Sequence, residues 1–241
     1  MTDNDAVREP VEAAGSSIVA LYGSWASPID VELVATASVG LAEAAVDGND
    51  VYWLEGRSAE GGRRTLLRHG LDGATREVTP APFNVRNRVH EYGGASYVVD
   101  GGRLVASNAA DGRLYRLDPA VAAEPVAITP AGSWRYADLR VDPVRERLYA
   151  VRETHDAARE HDPLLVVNEL VAIALDGSDG PGRVLVAGPD FVAAPRPSPD
   201  GRRLAWIEWD LPDMPWDASR IAIRHADGSR KTIGGNAVSV G

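Results

Sequence analysis

The sequence predicts an all-β chain, a partial β-propeller of about four four-stranded blades with one short N-terminal helix. Three observations carry that prediction. First, an Asp-led turn followed by an apolar run recurs along the chain. Its fullest copy is Pro197-Ser198-Pro199-Asp200-Gly201-Arg202-Arg203-Leu204-Ala205-Trp206-Ile207, and Asp47-Gly48, Asp100-Gly101 and Asp142-Pro143 head weaker ones. The copies lie roughly 40 to 60 residues apart, a period shared by solenoids and propellers. Second, each copy is followed by another hairpin mark, Asp72-Gly73, Asp111-Gly112, Asp176-Gly177 and Asp227-Gly228, and Asp-Gly readily holds the positive φ of a tight turn. Third, three units close on a short apolar run ended by Thr-Pro or Gly, at Val78-Thr79-Pro80, Ile128-Thr129-Pro130 and Val184 to Gly188. Each unit thus holds about four short strands joined by tight turns, the content of one propeller blade.

Taken in order, residues 1–20 are polar or small and read as a flexible N-terminus. The propeller portion is then expected over 21–241. Ser27-Pro28-Ile29-Asp30 reads as a helix start, with Ser27 as N-cap, Pro28 at the first helical position and Asp30 in the first turn. Ile29, Leu33 and Ala37 share one face of that helix. The blades are expected at about 42–79, 93–129, 136–187 and 195–233. Val51-Tyr52-Trp53-Leu54, Leu104-Val105-Ala106, Leu148-Tyr149-Ala150-Val151 and Leu204-Ala205-Trp206-Ile207 are placed in equivalent strands. Pro197 and Pro199 cannot donate to a ladder, so they are expected in the connection that leads into the last of these. The third blade carries one long charged insertion around residues 155–162, and the fourth makes a detour over 211–217.

Composition narrows the function. Hydrophobic residues make up 44% and charged residues 25% of the 241, which is globular composition. A net charge of −10 with no basic cluster evident along the sequence disfavours nucleic acid, whose phosphates need clustered cations. The absence of cysteine removes disulfides, thiol catalysis and zinc-thiolate sites. Neither a leader-like start nor an apolar run of membrane-spanning length is present, so a cytoplasmic location away from membranes is expected.

Few residues point to chemistry. The serine nucleophile elbow G-x-S-x-G does not occur, so no catalytic residue is expected in this stretch. His155 and His161, with Asp156, Glu160 and Asp162, are spaced for neither a helical zinc pair nor a calcium loop. They read as a solvated insertion, with neither metal nor other cofactor. Arg88-Val89-His90-Glu91-Tyr92-Gly93-Gly94 is the most distinctive short stretch. A Gly-Gly that opens a strand implies close backbone packing, and His90 and Glu91 are then either hydrogen-bonded between blades or displayed to a ligand. Trp216, in the Pro-rich detour, either anchors an ordered bulge or belongs to a binding loop.

These residues carry a resemblance. Tyr22-Gly23-Ser24-Trp25, Val51 to Arg57, Thr79 to Arg86, Val89 to Gly94, Asn168-Glu169-Leu170-Val171 and Pro197 to Trp206 together resemble the N-terminal β-propeller of bacterial peptidases of the prolyl oligopeptidase family, in the acylaminoacyl-peptidase and dipeptidyl-aminopeptidase-like branch. The likeness runs from about residue 20 to 233. It implies a propeller set over a C-terminal α/β-hydrolase domain that carries a Ser-Asp-His triad, with the propeller restricting access to short peptides. No family catalytic residue maps onto this sequence. The chain is therefore expected to be the propeller portion of such a serine peptidase, a fragment or truncation that is inactive alone, with short peptides or the missing hydrolase domain as partners. His90, Glu91 and Trp216 are the expected substrate contacts, and the open end of an incomplete ring is expected to self-associate. The alternative is a stand-alone propeller acting as a protein- or peptide-binding scaffold.

Overall fold

Turn chemistry divides the described residues into four separate antiparallel sheets, each a meander of four consecutive strands. The computed structural model describes residues 23, 29–32, 39–119, 124–142, 144–155 and 165–235. The first sheet holds β1 (Val39–Asp47), β2 (Asp50–Arg57), β3 (Arg63–His69) and β4 (Thr75–Glu77). The second holds β5 (Tyr97–Asp100), β6 (Arg103–Ser107), β7 (Leu114–Leu117) and β8 (Val126–Ala127). The third holds β9 (Trp134–Asp142), β10 (Arg147–Thr154), β11 (Val167–Ala174) and β12 (Arg183–Val186). The fourth holds β13 (Phe191–Pro197), β14 (Arg203–Trp209), β15 (Arg220–His225) and β16 (Arg230–Gly234). All strands belong to one compact unit, Ser38–Gly241; Met1–Ala37 forms another. Of the helix expected from Ser27, only 29–32 are described, with Val31 and Glu32 helical. The rest of that expectation, and the flexible 1–20, lie outside the described residues.

The four apolar segments placed in equivalent strands are the second strands β2, β6, β10 and β14. First strands of adjacent sheets meet, β1 with β5, β5 with β9 and β9 with β13. The sheets are therefore blades gathered on their inner strands, a partial propeller of four blades. Alternation along the second strands explains the packing. Tyr52 and Leu54 meet Tyr97, Leu104 and Ala106 between the first two blades. Val105 meets Leu148 and Ala150 between the second and third. Tyr149 and Val151 meet Leu204 and Trp206 between the third and fourth. The middle blades bury both faces, so their second strands each carry an unbroken apolar run, Leu104–Ala106 and Leu148–Val151. Each large side chain so buried contributes about 1.5–3 kcal/mol.

Buried polar groups are matched to this frame. Thr79 Oγ1 accepts the Leu66 N–H at 2.8 Å, and Thr129 Oγ1 accepts the Leu114 N–H at 2.9 Å. The two Thr-Pro marks thus close the first and second blades in the same way. Glu208, fully buried, accepts Trp206 Nε1 at 2.6 Å and Arg220 Nε at 2.8 Å, and pairs with Arg230.

Three of the four inner strands share a bulge. Register shifts occur in β1, β9 and β13, and at each the first extra residue has positive φ: Glu43 (50°), Asp138 (55°) and Ala194 (51°). Turns between first and second strands are linked from blade to blade at one end of the sheets. The Asp47 carboxylate accepts the Gly101 and Gly102 amides at 2.9 and 2.7 Å. Arg103 pairs with Glu146, and Arg145 Nη1 donates to the Gly201 carbonyl at 2.6 Å.

One expectation is corrected. Pro197 lies inside a strand, paired with Leu204 as the last residue of β13; β13 is the free edge of its sheet, where a missing N–H breaks no ladder. Asp111-Gly112 joins β6 to β7, whereas Asp72-Gly73, Asp176-Gly177 and Asp227-Gly228 each join a third strand to a fourth.

Candidate functional site

The end of the sheets opposite the linked turns carries the distinctive stretch 88–94. Its backbone folds tightly: the Glu91 N–H donates to Arg88 O at 3.0 Å and the Gly93 N–H to Val89 O at 2.8 Å. His90, Glu91 and Gly93 all have positive φ, of 55°, 66° and 86°. Asn87 knits the loop from inside, donating Nδ2 to Gly94 O at 2.9 Å and accepting the Val89 and Gly94 amides at 3.2 and 3.0 Å. The Gly-Gly reading holds in detail, because a Cβ on Gly94 would stand 2.6 Å from Asp138 Oδ1.

Both polar residues of the loop are tied to the third blade. The His90 N–H donates to Glu153 Oε1 at 2.6 Å. Glu153 is itself buried, and its Oε2 lies 3.0 Å from His155 Nε2. Glu91 is bracketed by guanidinium groups, Arg88 at 2.7 Å and Arg135 at 2.9 Å. The hydrogen bond from Arg135 holds its carboxyl below the usual range. The His90 ring sits among aromatics, with centroids 5.8 Å from Tyr92, 5.5 Å from Phe191 and 5.3 Å from Trp209; Phe191 and Trp209 are stacked at 5.1 Å. Burial in that cage pushes the imidazole below its ordinary pKa, against the opposing pull of Glu153 and Asp138. Glu91 and Tyr92 point outward, both more than half exposed.

Beside this loop lies a cleft of about 730 Å³ between the second and third blades. Asn84, Asn87, Asn108, Arg86, Arg135 and His155 are among its walls. Such a lining offers amide and guanidinium groups at hydrogen-bonding reach, which suits an extended polar ligand better than an apolar one. Trp216 is not at this cleft's wall. It lies in the β14–β15 connection, at the same end of the sheets, and is 62% exposed. The reading of Trp216 as anchor of a bulge is therefore corrected. Asp190 and Asp210 hold the bulge instead: Asp190 Oδ2 accepts the Leu211 N–H at 2.9 Å, and Asp210 Oδ1 accepts the Asp190 N–H at 3.0 Å.

Arg135, Glu153, Phe191 and Trp209 escaped the sequence reading. Glu153 had a signal, a carboxylate closing the apolar run of β10. The other three come close to His90 only through the packing of blades. Of the charged insertion, His155 is described and Asp156, Glu160, His161 and Asp162 lie outside the described residues. Among the described residues no His, Asp and Glu gather as a metal site, and no helix is long and apolar enough to cross a membrane.

Comparison with known proteins agrees with this architecture. No family model matches the chain, and no curated protein does. Solved structures do. A puromycin-hydrolyzing peptidase of Mycobacterium tuberculosis is 38% identical, with TM-score 0.79 over 90% of this chain and 35% of its own. A puromycin hydrolase is 37% identical, with TM-score 0.81 over 90% of this chain and 36% of its own. The acylaminoacyl peptidase of Pyrococcus horikoshii shares the fold, with TM-score 0.58 at 13% identity over 84% of this chain and 33% of its own. The chain spans about a third of the length of each of these proteins.

Proposed function

Because the chain belongs to the propeller portion of the prolyl oligopeptidase family of peptidases, we propose that it screens short peptides on their way to a serine hydrolase domain lying outside these residues. The observation that carries the proposal is the likeness at 37–38% identity along 90% of the chain to puromycin-hydrolysing peptidases. The polar cleft beside Glu91 supports it, since a peptide backbone presents alternating donors and acceptors that asparagine and arginine can meet. Glu91 and Trp216 are the proposed contacts, exposed at the same end of the sheets, and His90 sets the loop from behind. The hydrolase domain is the proposed partner on that end, and the cytoplasm the proposed compartment.

Titration of the chain with labelled tri- to hexapeptides, followed by fluorescence anisotropy, tests this reading. Saturable binding weakened by Glu91→Gln and Trp216→Ala is expected. Equal binding by the double variant, or none by the unaltered chain, overturns it.

A further inference from the structure

The turn end of the sheets, remote from the site above, carries a smaller cleft of about 230 Å³ between the third and fourth blades. Six of its twelve lining residues are arginines: Arg145, Arg147, Arg183, Arg202, Arg203 and Arg224. They converge from the turn before β10 and the start of that strand, the start of β12, the turn before β14 and its first residue, and the end of β15. That concentration stands out in a chain with a net charge of −10.

Local carboxylates neutralise it only in part. Asp142 takes Arg145 at 3.2 Å, but its side chain is fully buried and also accepts the Tyr149 hydroxyl at 2.6 Å. Asp200 turns to Ser198 Oγ and the Arg202 backbone N–H. Glu146 is taken by Arg103. Arg147, Arg183, Arg202, Arg203 and Arg224 have no ion pair among the described residues. The Nε of Arg147 is buried without a hydrogen-bond partner, although such a group is costly to leave unmatched. Like charges gathered at one cleft raise its free energy unless an anion sits among them.

We propose that this cleft binds an oligophosphate anion, a pyrophosphate or triphosphate group. A cleft of this size takes a compact anion and not a folded partner. Guanidinium forks match phosphoryl oxygens bidentately, and each phosphoryl group brings more charge in less volume than a carboxylate side chain. Of the two ring-bearing residues in its wall, Tyr149 is buried with its hydroxyl engaged by Asp142 and His225 is exposed at the rim, and recognition is assigned to the phosphate chain alone.

Calorimetric titration of the full chain with sodium tripolyphosphate, at ionic strength matched with chloride, tests the assignment. Saturable binding and a ligand-dependent rise in Tm are expected, with ATP binding no more tightly than tripolyphosphate. Arg183→Gln/Arg224→Gln should weaken binding about tenfold or more, and Arg76→Gln/Lys231→Gln, the same charge loss elsewhere, should leave it unchanged. Three results would overturn the proposal: no binding beyond chloride by the unaltered chain, equal loss in both double variants, or binding of hexaglutamate without tripolyphosphate. A clear preference for ATP would overturn the phosphate-only reading. The chloride-matched titration of the unaltered chain decides even if a variant misfolds.

Discussion

Asp138 and Ala194 occupy the same bulged position of adjacent inner strands, and the carboxylate of the first accepts the backbone N–H of the second at 2.7 Å. The other oxygen of Asp138 accepts the Ala95 N–H at 2.9 Å, while the Asp138 N–H donates to Ala95 O at 2.9 Å. One side chain in the third blade thus binds the segment leading into β5 of the second and the inner strand of the fourth. Glu43 reaches the second blade from the first in the same manner, accepting the Ser96 N–H at 2.6 Å.

Removing the Asp138 carboxylate leaves two half-buried amides without their acceptor. Asp138→Ala should cost roughly 2–4 kcal/mol, since two hydrogen bonds to a charged group contribute about 1.5–3 kcal/mol each when buried and less here, where both amides are only half-buried. Asp138→Asn should cost less, because it keeps one acceptor and tolerates positive φ. Urea unfolding with a shared m-value checks both; equal stability of the alanine variant and the unaltered chain would refute the bridging role.

Gly94→Ala should destabilise by about 1–3 kcal/mol, in the range of overpacking. Its methyl group would press on Asp138 Oδ1 at 2.6 Å and on Ala137 Cβ at 3.1 Å. The damage should be smaller in the Asp138→Ala background, which removes the first clash. A double-mutant cycle by denaturant unfolding reads that coupling.

Thr79→Val and Thr129→Val should each cost about 1–2 kcal/mol, because each strands a buried strand amide. The cost at Thr79 should be the larger of the two. Its hydroxyl also meets Thr65 Oγ1 at 3.2 Å, whereas the Thr129 hydroxyl meets no second hydroxyl among the described residues. Thermal melts of the two single variants decide it.

His90 makes stability depend on pH. Its folded pKa lies below the unfolded value of about 6.5, so the unfolded chain binds the proton more tightly. The stability it contributes is complete above about 6.5 and is lost as pH falls from there toward the lower folded value. Glu43 acts with the opposite sense. Burial raises its pKa, so its contribution is present below about 4.3 and is lost as pH rises through the folded value. His90→Phe should flatten the loss of Tm between neutral and mildly acidic pH, and Glu43→Gln should raise Tm at neutral pH. An unchanged pH profile in His90→Phe would contradict the first statement.

The end blades are expected to favour self-association. In the first blade Val39, Leu41 and Val46 are 57, 70 and 69% exposed, and on the fourth Ile207, Ile221 and Ile223 are only half-buried. Exposed apolar faces beside free strands invite pairing. Sedimentation should show concentration-dependent association that Leu41→Lys/Ile223→Lys reduces; a monomer at all concentrations would refute it.

The blades were legible because turn chemistry is local. Asp-Gly, or Asp-Pro before β10, and the apolar run after it lie within about a dozen residues, and together they locate β2, β6, β10 and β14. The inner bulges were hidden, since Glu43, Asp138 and Ala194 hold positive φ without the glycine that would announce it. At the candidate site, the loop of His90 and Glu91 was visible through Gly93-Gly94. Its partners Arg135, Glu153, Phe191 and Trp209 lie 44 to 119 positions away and meet it only when the blades stack.

The links among the turns have a direction. Asp47 reaches forward to Gly101 and Gly102, Arg103 to Glu146, and Arg145 to Gly201. Each joint uses a different chemistry: carboxylate to amides, cation to anion, guanidinium to carbonyl. The repeats are therefore not interchangeable parts. A blade moved to another place in the series would offer a carboxylate where its new neighbour needs a guanidinium, so the mismatched joints themselves penalise any order but the native one. Divergence among the four turn sequences, which reads as decay of a repeat, is in this light the address label of each blade.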